Sequence, residues 1–371
     1  MSEQLKPVRV GVIGTGAISG AYLGMASNFP IVEIVACADI DLDRARSAAT
    51  KFNIPKVCSV DELLADPSIE IVLNLTIPKA HVPISLRAIQ SGKHVYCEKP
   101  LGIDREEAMQ LVDASRRTKL RVGCAPDTFL GAGIQTARKL IDDGAIGKPI
   151  AFTAFMMGRG HEHWHPNPDF YYQPGGGPML DMGPYYITAL LQLLGPIRRV
   201  NGFTSVTRGE RPILSQPRAG QIMKVTTADH YAGSIEFENG CVGTIVQSFA
   251  MRAAEYDGRN PITIFGTAGS IKVPDPNGFD GPVFLCRFND TPGAKDEYVE
   301  QPHAFVKGYG RSIGLADMAR AIRTGRAHRC SLEQAFTTLD AMQGFGDSSA
   351  TGRAIEIANG YVRPEPMKSD L

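Results

Sequence analysis

Two apolar rhythms divide the chain. Up to residue 125, short apolar runs alternate with amphipathic stretches of helical period. Val8–Ile13 reads as a buried strand, followed by a helical pattern that carries Tyr22, Leu23 and Met25, and Val32–Ala38 reads as a second strand. Residues 61–64 open a short helix, and residues 69–75 form an apolar strand that ends at Thr76-Ile77-Pro78. Residues 81–91 are helical, with Gly92 as C-cap. His94–Cys97 is a strand that ends in Glu98-Lys99-Pro100, and residues 104–115 and 121–125 are a further helix and strand. Strands alternating with helices predict a doubly wound parallel sheet. Beyond it, strand-like segments at 150–156, 229–237, 241–249 and 261–265 dominate, with Glu238-Asn239-Gly240 as a hairpin turn. Helices over 315–324 and 332–343 close the chain. The predicted organisation is an α/β protein with a dinucleotide-type domain over 1–126 and a second α/β domain over 127–371.

The ends of the early strands carry candidate chemistry. Val8–Ile13 runs into Gly14-Thr15-Gly16-Ala17-Ile18-Ser19. Glycine at 14 permits a tight turn, and glycine at 16 lets the backbone approach a pyrophosphate. That anion would sit at Ala17 and Ile18, over a helix N-terminus whose N–H groups and dipole favour negative charge. Ser19 stands where the usual fingerprint has a third glycine. Asp39 lies 25 positions after Gly14, at the end of the second strand, where an acid accepts hydrogen bonds from ribose hydroxyls. Ile40 follows, where a binder of a 2′-phosphate would carry a polar or basic residue. NAD is therefore favoured over NADP. Ligands of such sheets bind at the carboxyl ends of the strands, which brings in Thr76, Pro78, His81, Glu98 and Lys99.

Composition narrows the function classes. Of 371 residues 43% are hydrophobic and 21% charged, the profile of a globular protein. Lys+Arg and Asp+Glu each total 39, so nothing suggests nucleic acid or an anionic membrane as partner. The opening residues run into the first strand without an apolar signal core, and no apolar run reaches the length of a membrane span. Seven scattered cysteines, with no Cys-x-x-Cys pair, fit reduced thiols in the cytoplasm.

Taken together, Gly14-x-Gly16, Asp39, residues 76–81, Gly92 to Pro100 and the run Gly175-Gly176-Gly177-Pro178-Met179-Leu180-Asp181-Met182-Gly183-Pro184-Tyr185 resemble the glucose–fructose oxidoreductase / inositol dehydrogenase / rhizopine catabolism (Gfo/Idh/MocA) family, in its order and spacing. The resemblance spans nearly the whole chain. It implies a Rossmann domain followed by an α/β domain with a large open, mainly antiparallel sheet that commonly mediates dimers or tetramers. It implies a cis bond before Pro100, and a nicotinamide-dependent oxidoreductase acting on a hydroxyl of a small-molecule sugar, cyclitol or glycoside. Lys99 is then the base or the electrostatic partner, its basicity lowered beside the positive nicotinamide ring. Asp181 and Tyr185, at i and i+4, would share a helix face, with Pro184 placing them near its start. The family often has histidine at the position of Tyr185, so either Lys99 or Tyr185 carries the proton, while Asp181 orients the substrate or tunes Lys99.

Gly158 to Pro166 is the most unusual stretch, with His161, Glu162, His163, Trp164 and His165 in succession. It reads as a substrate loop rather than a metal site: Arg159, a stacking face on Trp164, and His163 and His165 for hydroxyls. Tyr172, Asp127, Tyr309 and Arg311 complete the substrate candidates. With Arg159 and Arg311 the only obvious cations in these substrate segments, a neutral substrate is expected rather than a strongly anionic one. Two other functions fit the same residues: a glycoside-cleaving enzyme that oxidises its substrate transiently and eliminates, and a non-enzymatic NAD(P) and sugar sensor. The second predicts a degraded site, against Lys99, Asp181 and Tyr185.

Overall fold

The computed structural model describes residues 5–293, 295–358 and 360–367; the first four residues, part of the opening segment considered above, lie outside them. By compactness the chain forms two units. One comprises residues up to Leu130 with Gly308–Phe336 and the segment from Met367; the other comprises Gly131–Lys307 and Thr337–Pro366.

The first unit contains β1 (Val8–Ile13), α1 (Ser19–Ala26), β2 (Val32–Ala38), α2 (Leu42–Phe52), β3 (Lys56–Val57), α3 (Val60–Ala65), β4 (Ile71–Asn74), α4 (Pro78–Gln90), β5 (His94–Cys97), α5 (Arg105–Thr118) and β6 (Val122–Cys124). The six strands are parallel in the order β3-β2-β1-β4-β5-β6. The chain therefore reverses direction across the sheet between β1 and β4, which opens a crevice at their carboxyl ends. Four residues in a row are buried in β4, because helices cover both sheet faces. Local signals set the helix ends. Ser59 and Glu62 form a capping box for α3, Asp104 caps α5 and Pro78 starts α4.

His94, at the start of β5, offers a pH probe of this sheet. Its Nδ1 accepts the Arg121 N–H at 2.9 Å. Burial, helped by the Arg121 and His328 charges, pushes the imidazole down to about 4. A folded value below the ordinary 6.5 or so means that the stabilisation is complete above that value and is lost as pH falls towards 4. Thermal melts are expected to show a steeper loss of stability between those pH values in the wild type than in His94→Asn, by roughly 2 kcal/mol after allowance for partial exposure.

The second unit begins with α6 (Ala132–Asp142), β7 (Pro149–Met157), α7 (Gly177–Asp181), α8 (Gly183–Leu194), β8 (Ile197–Ser205), β9 (Glu210–Pro212) and β10 (Ile222–Lys224). It continues with β11 (His230–Phe237), β12 (Val242–Ser248), β13 (Ile262–Gly266), β14 (Gly269–Val273), β15 (Val283–Arg287) and β16 (Val299–Gln301). α9 (Ile313–Thr324) belongs to the first unit, α10 (Leu332–Thr351) runs through both stretches, and β17 (Ile355–Glu356) closes the second sheet. The nine strands run β16-β15-β14-β13-β7-β12-β11-β8-β17, antiparallel throughout except for β7 with β12. The large, open, mainly antiparallel sheet is thus present. Phe152, Ala154 and Met156 alternate along β7 as its buried face.

Candidate active site

Gly14 closes the end of β1. Its φ is 95°, and a Cβ there would stand 2.6 Å from the Leu75 carbonyl oxygen, so only glycine fits between β1 and the end of β4. The other side of the turn is open: no heavy atom lies within 4 Å of where a Cβ on Gly16 would be. Ala17 and Ile18 lead into α1, whose start has no side-chain cap. An uncapped helix start beside an open glycine is the arrangement that accepts a phosphate.

Asp39 is nearly buried, yet anionic. Its carboxylate accepts the Thr15 N–H at 2.7 Å, the Thr15 hydroxyl at 3.0 Å and the Asp41 N–H at 2.9 Å. Burial pushes its pKa up, but these donors outweigh burial and hold it below the usual carboxylate value. Capping of α2 falls to Asp41, whose carboxylate accepts the Asp43 and Arg44 N–H groups. Ile40 is fully exposed. These residues fit a dinucleotide at its pyrophosphate and ribose.

The turns after β4 and β5 are braced from inside. Asn74 accepts the Thr76 hydroxyl at 2.7 Å and donates to the His81 carbonyl at 2.9 Å. His81, 1% exposed, sets Nδ1 at 2.6 Å from the Pro100 carbonyl and Nε2 at 3.0 Å from that of Thr76. Burial keeps its pKa low, so the neutral ring has one hydrogen, which the shorter contact assigns to Nδ1. Glu98, also buried, accepts the Tyr22 hydroxyl at 2.7 Å and the Lys99 N–H at 2.8 Å. The Lys99–Pro100 bond is cis. The His81 ring is thus engaged with Pro100 and Glu98 with Lys99, both inside the protein, while Asn74 holds Thr76. Asp127 is wholly buried and accepts Arg311 at 3.3 Å and the Gly314 N–H at 3.2 Å. Its pKa is raised, because burial outweighs these partners. Tyr309 stacks on Phe29 at 5.6 Å. Asp127 is thus an internal strut of the first unit that holds Arg311, while Tyr309 is half-buried.

In the second unit, Asp181 is the last residue of α7 and Tyr185 lies in the first turn of α8, with Met182 between the helices. The expected single helix is broken there because Gly183 and Pro184 begin a new one. Tyr185 and Tyr186 are both buried, and the Tyr186 hydroxyl donates to the Phe155 carbonyl. His161 sets Nε2 3.4 Å from the Asp181 carboxylate and stacks on Tyr171 at 3.9 Å, with Phe249 edge-on at 4.5 Å. Trp164 is 56% exposed, while the His165 Nδ1 accepts the Asn167 N–H. Tyr172 does not line a surface: it is wholly buried and its hydroxyl donates to Glu162 at 2.5 Å. Arg211 joins this cluster, donating to Glu162 at 2.9 Å and Asp229 at 2.6 Å. Arg159 and His163 line a cavity of about 430 Å³.

A doubly wound sheet with an open glycine turn, a buried carboxylate at Asp39 and a lysine at a strand end, in a chain with a second open-sheet unit, fits a nicotinamide-cofactor oxidoreductase. The chain belongs to the Gfo/Idh/MocA family: residues 8–125 match the NAD-binding Rossmann fold of that oxidoreductase family and residues 134–272 match its C-terminal domain. It is similar to an uncharacterized oxidoreductase of Rhizobium meliloti, 30% identical over 93% of this chain and 98% of the relative. It is also similar to the levoglucosan dehydrogenase of Pseudarthrobacter phenanthrenivorans, 30% identical over 72% and 73%. The myo-inositol 2-dehydrogenase of Thermotoga maritima is 24% identical over 88% and 97%. A solved levoglucosan dehydrogenase in complex with NADH and levoglucosan shares the fold, with a TM-score of 0.80 at 23% identity, covering 95% of this chain and 100% of that one.

Sequence reasoning passed over Tyr22, His161, Glu162, Arg211 and Asp229 as site residues. Only His161 and Glu162 gave a signal, as part of the histidine-rich stretch. Tyr22 and Glu98 are 76 positions apart, and Arg211 and Glu162 are 49 apart, so no local pattern joins them.

Proposed function

We propose that this protein is an NAD-dependent dehydrogenase that reversibly oxidises a secondary hydroxyl of a sugar, cyclitol or glycoside to the ketone. The observation that carries the reading is Lys99, fixed through Glu98 and His81 at the carboxyl end of β5, in the same sheet as the cradle of Gly14, Gly16 and Asp39. The activities named for the levoglucosan and inositol relatives support the substrate class. When bound, the nicotinamide accepts the hydride. Oxidation also needs a base for the hydroxyl proton and a donor to the oxygen. Either Lys99 or Tyr185 carries that proton, and Asp181, which lies against His161, orients the substrate or tunes Lys99. Thr76, Pro78, Ala17 and Ile18 line the cofactor side.

The anionic Asp39, next to exposed Ile40, favours the ribose diol of NAD and repels a 2′-phosphate. Asp39→Ala is therefore expected to raise KM for NAD by about tenfold or more and to narrow its advantage over NADP, since a charge-assisted hydrogen bond is worth roughly 1.5–3 kcal/mol. We place the enzyme in the cytoplasm, in keeping with its seven free, buried thiols. It is a homo-oligomer, dimer or tetramer, through the open sheet, where Phe203 of β8 is 77% exposed; light scattering in solution should return that mass, and a monomer would refute it.

The decisive experiment is 340 nm absorbance with NAD and with NADP against aldoses, inositols, anhydrosugars and glycosides. NADH formation with one class supports the dehydrogenase. If NAD binds and no compound yields NADH, net oxidation is not the reaction, and product analysis of the glycosides tests cleavage through a transient ketone.

A further inference from the structure

The histidine-rich loop borders a cavity whose charge the dehydrogenase reading leaves unused. Its lining includes Arg159, His163 and Glu162 from the loop, and Arg252 from the segment after β12. A smaller crevice of about 20 Å³ shares Arg159, Glu162 and Arg252 and adds Arg208 and Arg211. Glu162 is the only acid among these lining residues, and it is already neutralised: Arg211 bonds it at 2.9 Å and Tyr172 at 2.5 Å. Arg211 is spent in turn on Glu162 and Asp229. Arg159, Arg208 and Arg252 form no ion pair among the described residues. His163 adds a ring nitrogen, Nδ1, that is buried without a hydrogen-bond partner.

Like charges gathered on one cavity repel one another, and that repulsion is relieved when an anion enters. Guanidinium groups suit this because their planar forks bond carboxylate or phosphate through two parallel N–H groups. The remaining walls are apolar: Met157, Leu214 and Met251 suit the carbon frame of a ligand rather than a bare ion. A volume of about 430 Å³ is of the size that takes a small molecule. The chain turns sharply after Arg252, where Ala253 has a φ of 53°, which alanine rarely adopts. Glu162 in the cavity wall is held from behind, because it is buried and bonded to Arg211, which is buried in turn and bonded to Asp229. The same loop carries His161, which touches Asp181, so the cavity and the candidate catalytic carboxylate are joined by two residues of chain.

We propose that this cavity is an oxyanion subsite, with Arg159 and Arg252 gripping the acidic group of a carbohydrate acid or sugar phosphate. This deepens the dehydrogenase reading by giving its substrate a negative charge. It also revises the expectation of a neutral substrate. That expectation counted Arg311, which is paired with Asp127, and missed Arg252 and Arg208, which lie far along the chain.

Calorimetric titration of the full chain at low salt, with no cofactor added, tests the subsite independently of any redox activity. The probes are D-glucuronate, D-glucose 6-phosphate, D-glucose and inorganic phosphate, against wild type, Arg159→Gln/Arg252→Gln and Arg159→Lys. At least one charged sugar is expected to bind about tenfold or more tighter than D-glucose, with an advantage that salt weakens. The double variant should lose that advantage and keep its affinity for glucose. Arg159→Lys should lose part of it, because the charge remains without the fork. Preference for glucuronate identifies a carboxylate and preference for the phosphate ester a phosphate; either supports the subsite. Equal binding of charged and neutral sugars, or unchanged binding of the acids by the double variant, overturns it. Inorganic phosphate that binds as tightly as both charged sugars overturns the carbohydrate part. Charged-sugar binding without NADH formation would sink the dehydrogenase reading alone, and NADH formation without charged-sugar preference would sink the subsite alone.

Discussion

Lys99→Ala is expected to lower kcat by about 10²–10⁴-fold, the range that a positioned acid–base group contributes, while the affinity for NAD measured by titration changes little. The asymmetry follows from what holds the turn. Glu98 receives the Lys99 N–H from the main chain, and His81 holds the Pro100 carbonyl, so neither brace uses the lysine side chain. Both braces therefore persist when the ammonium is removed. Lys99→Arg separates the two roles open to this residue. Arginine keeps a positive charge but does not release a proton near neutrality. If Lys99 itself carries the proton, Lys99→Arg is nearly as slow as Lys99→Ala, and Tyr185→Phe retains more activity than either. If Tyr185 is the carrier and Lys99 only favours its anionic form, the order reverses and Lys99→Arg recovers much of the rate. Rates within tenfold of wild type in Lys99→Ala would remove the lysine from the chemistry altogether.

The first sheet was legible because its information is local. Each of β1, β2 and β5 is a short apolar run ended by a glycine or a polar turn, and their residue ranges in the structure are those the pattern predicts. The strand-end rule then brings Asp39, Thr76 and Lys99 to one edge without any knowledge of side-chain contacts. The short edge strands of the second sheet, such as the three residues of β16, have too little alternation to stand out. The break between α7 and α8 was visible in principle, since Gly183-Pro184 is a helix-starting pair, but helical spacing alone joined Asp181 to Tyr185. What the sequence could not supply was partnership at a distance. Asp127 and Arg311 are 184 positions apart, and only the folded chain turns two substrate candidates into one buried ion pair. Tyr172 likewise reads as a cleft aromatic until its hydroxyl is found on Glu162.

The largest loss of stability is expected from Arg211→Met, about 3–5 kcal/mol or a fall in melting temperature on the order of 10 °C. Arg211 is 5% exposed. It donates to Glu162 at 2.9 Å, to Asp229 at 2.6 Å and to the Phe249 carbonyl at 3.0 Å, and it lies 5.0 Å from the Tyr172 ring centre. Burial would lower its pKa, but the two carboxylates outweigh that and hold it as a cation. Methionine fills similar volume and leaves two buried carboxylates facing each other without a counter-charge, which is the costly half of breaking a buried pair. The penalty should therefore shrink when Glu162→Gln and Asp229→Asn are added, since Thr207 donates to Asp229 through both its N–H and its hydroxyl and still has an oxygen to bond. The consequence reaches the site because Glu162 sits between His161 and His163. A loop released from Arg211 would loosen the His161 contact with Asp181, so the variant should lose kcat at temperatures below its own unfolding transition. Equal melting temperatures for Arg211→Met and wild type would mean that the aromatic stack of His161, Tyr171 and Phe249, rather than this ion cluster, holds the loop.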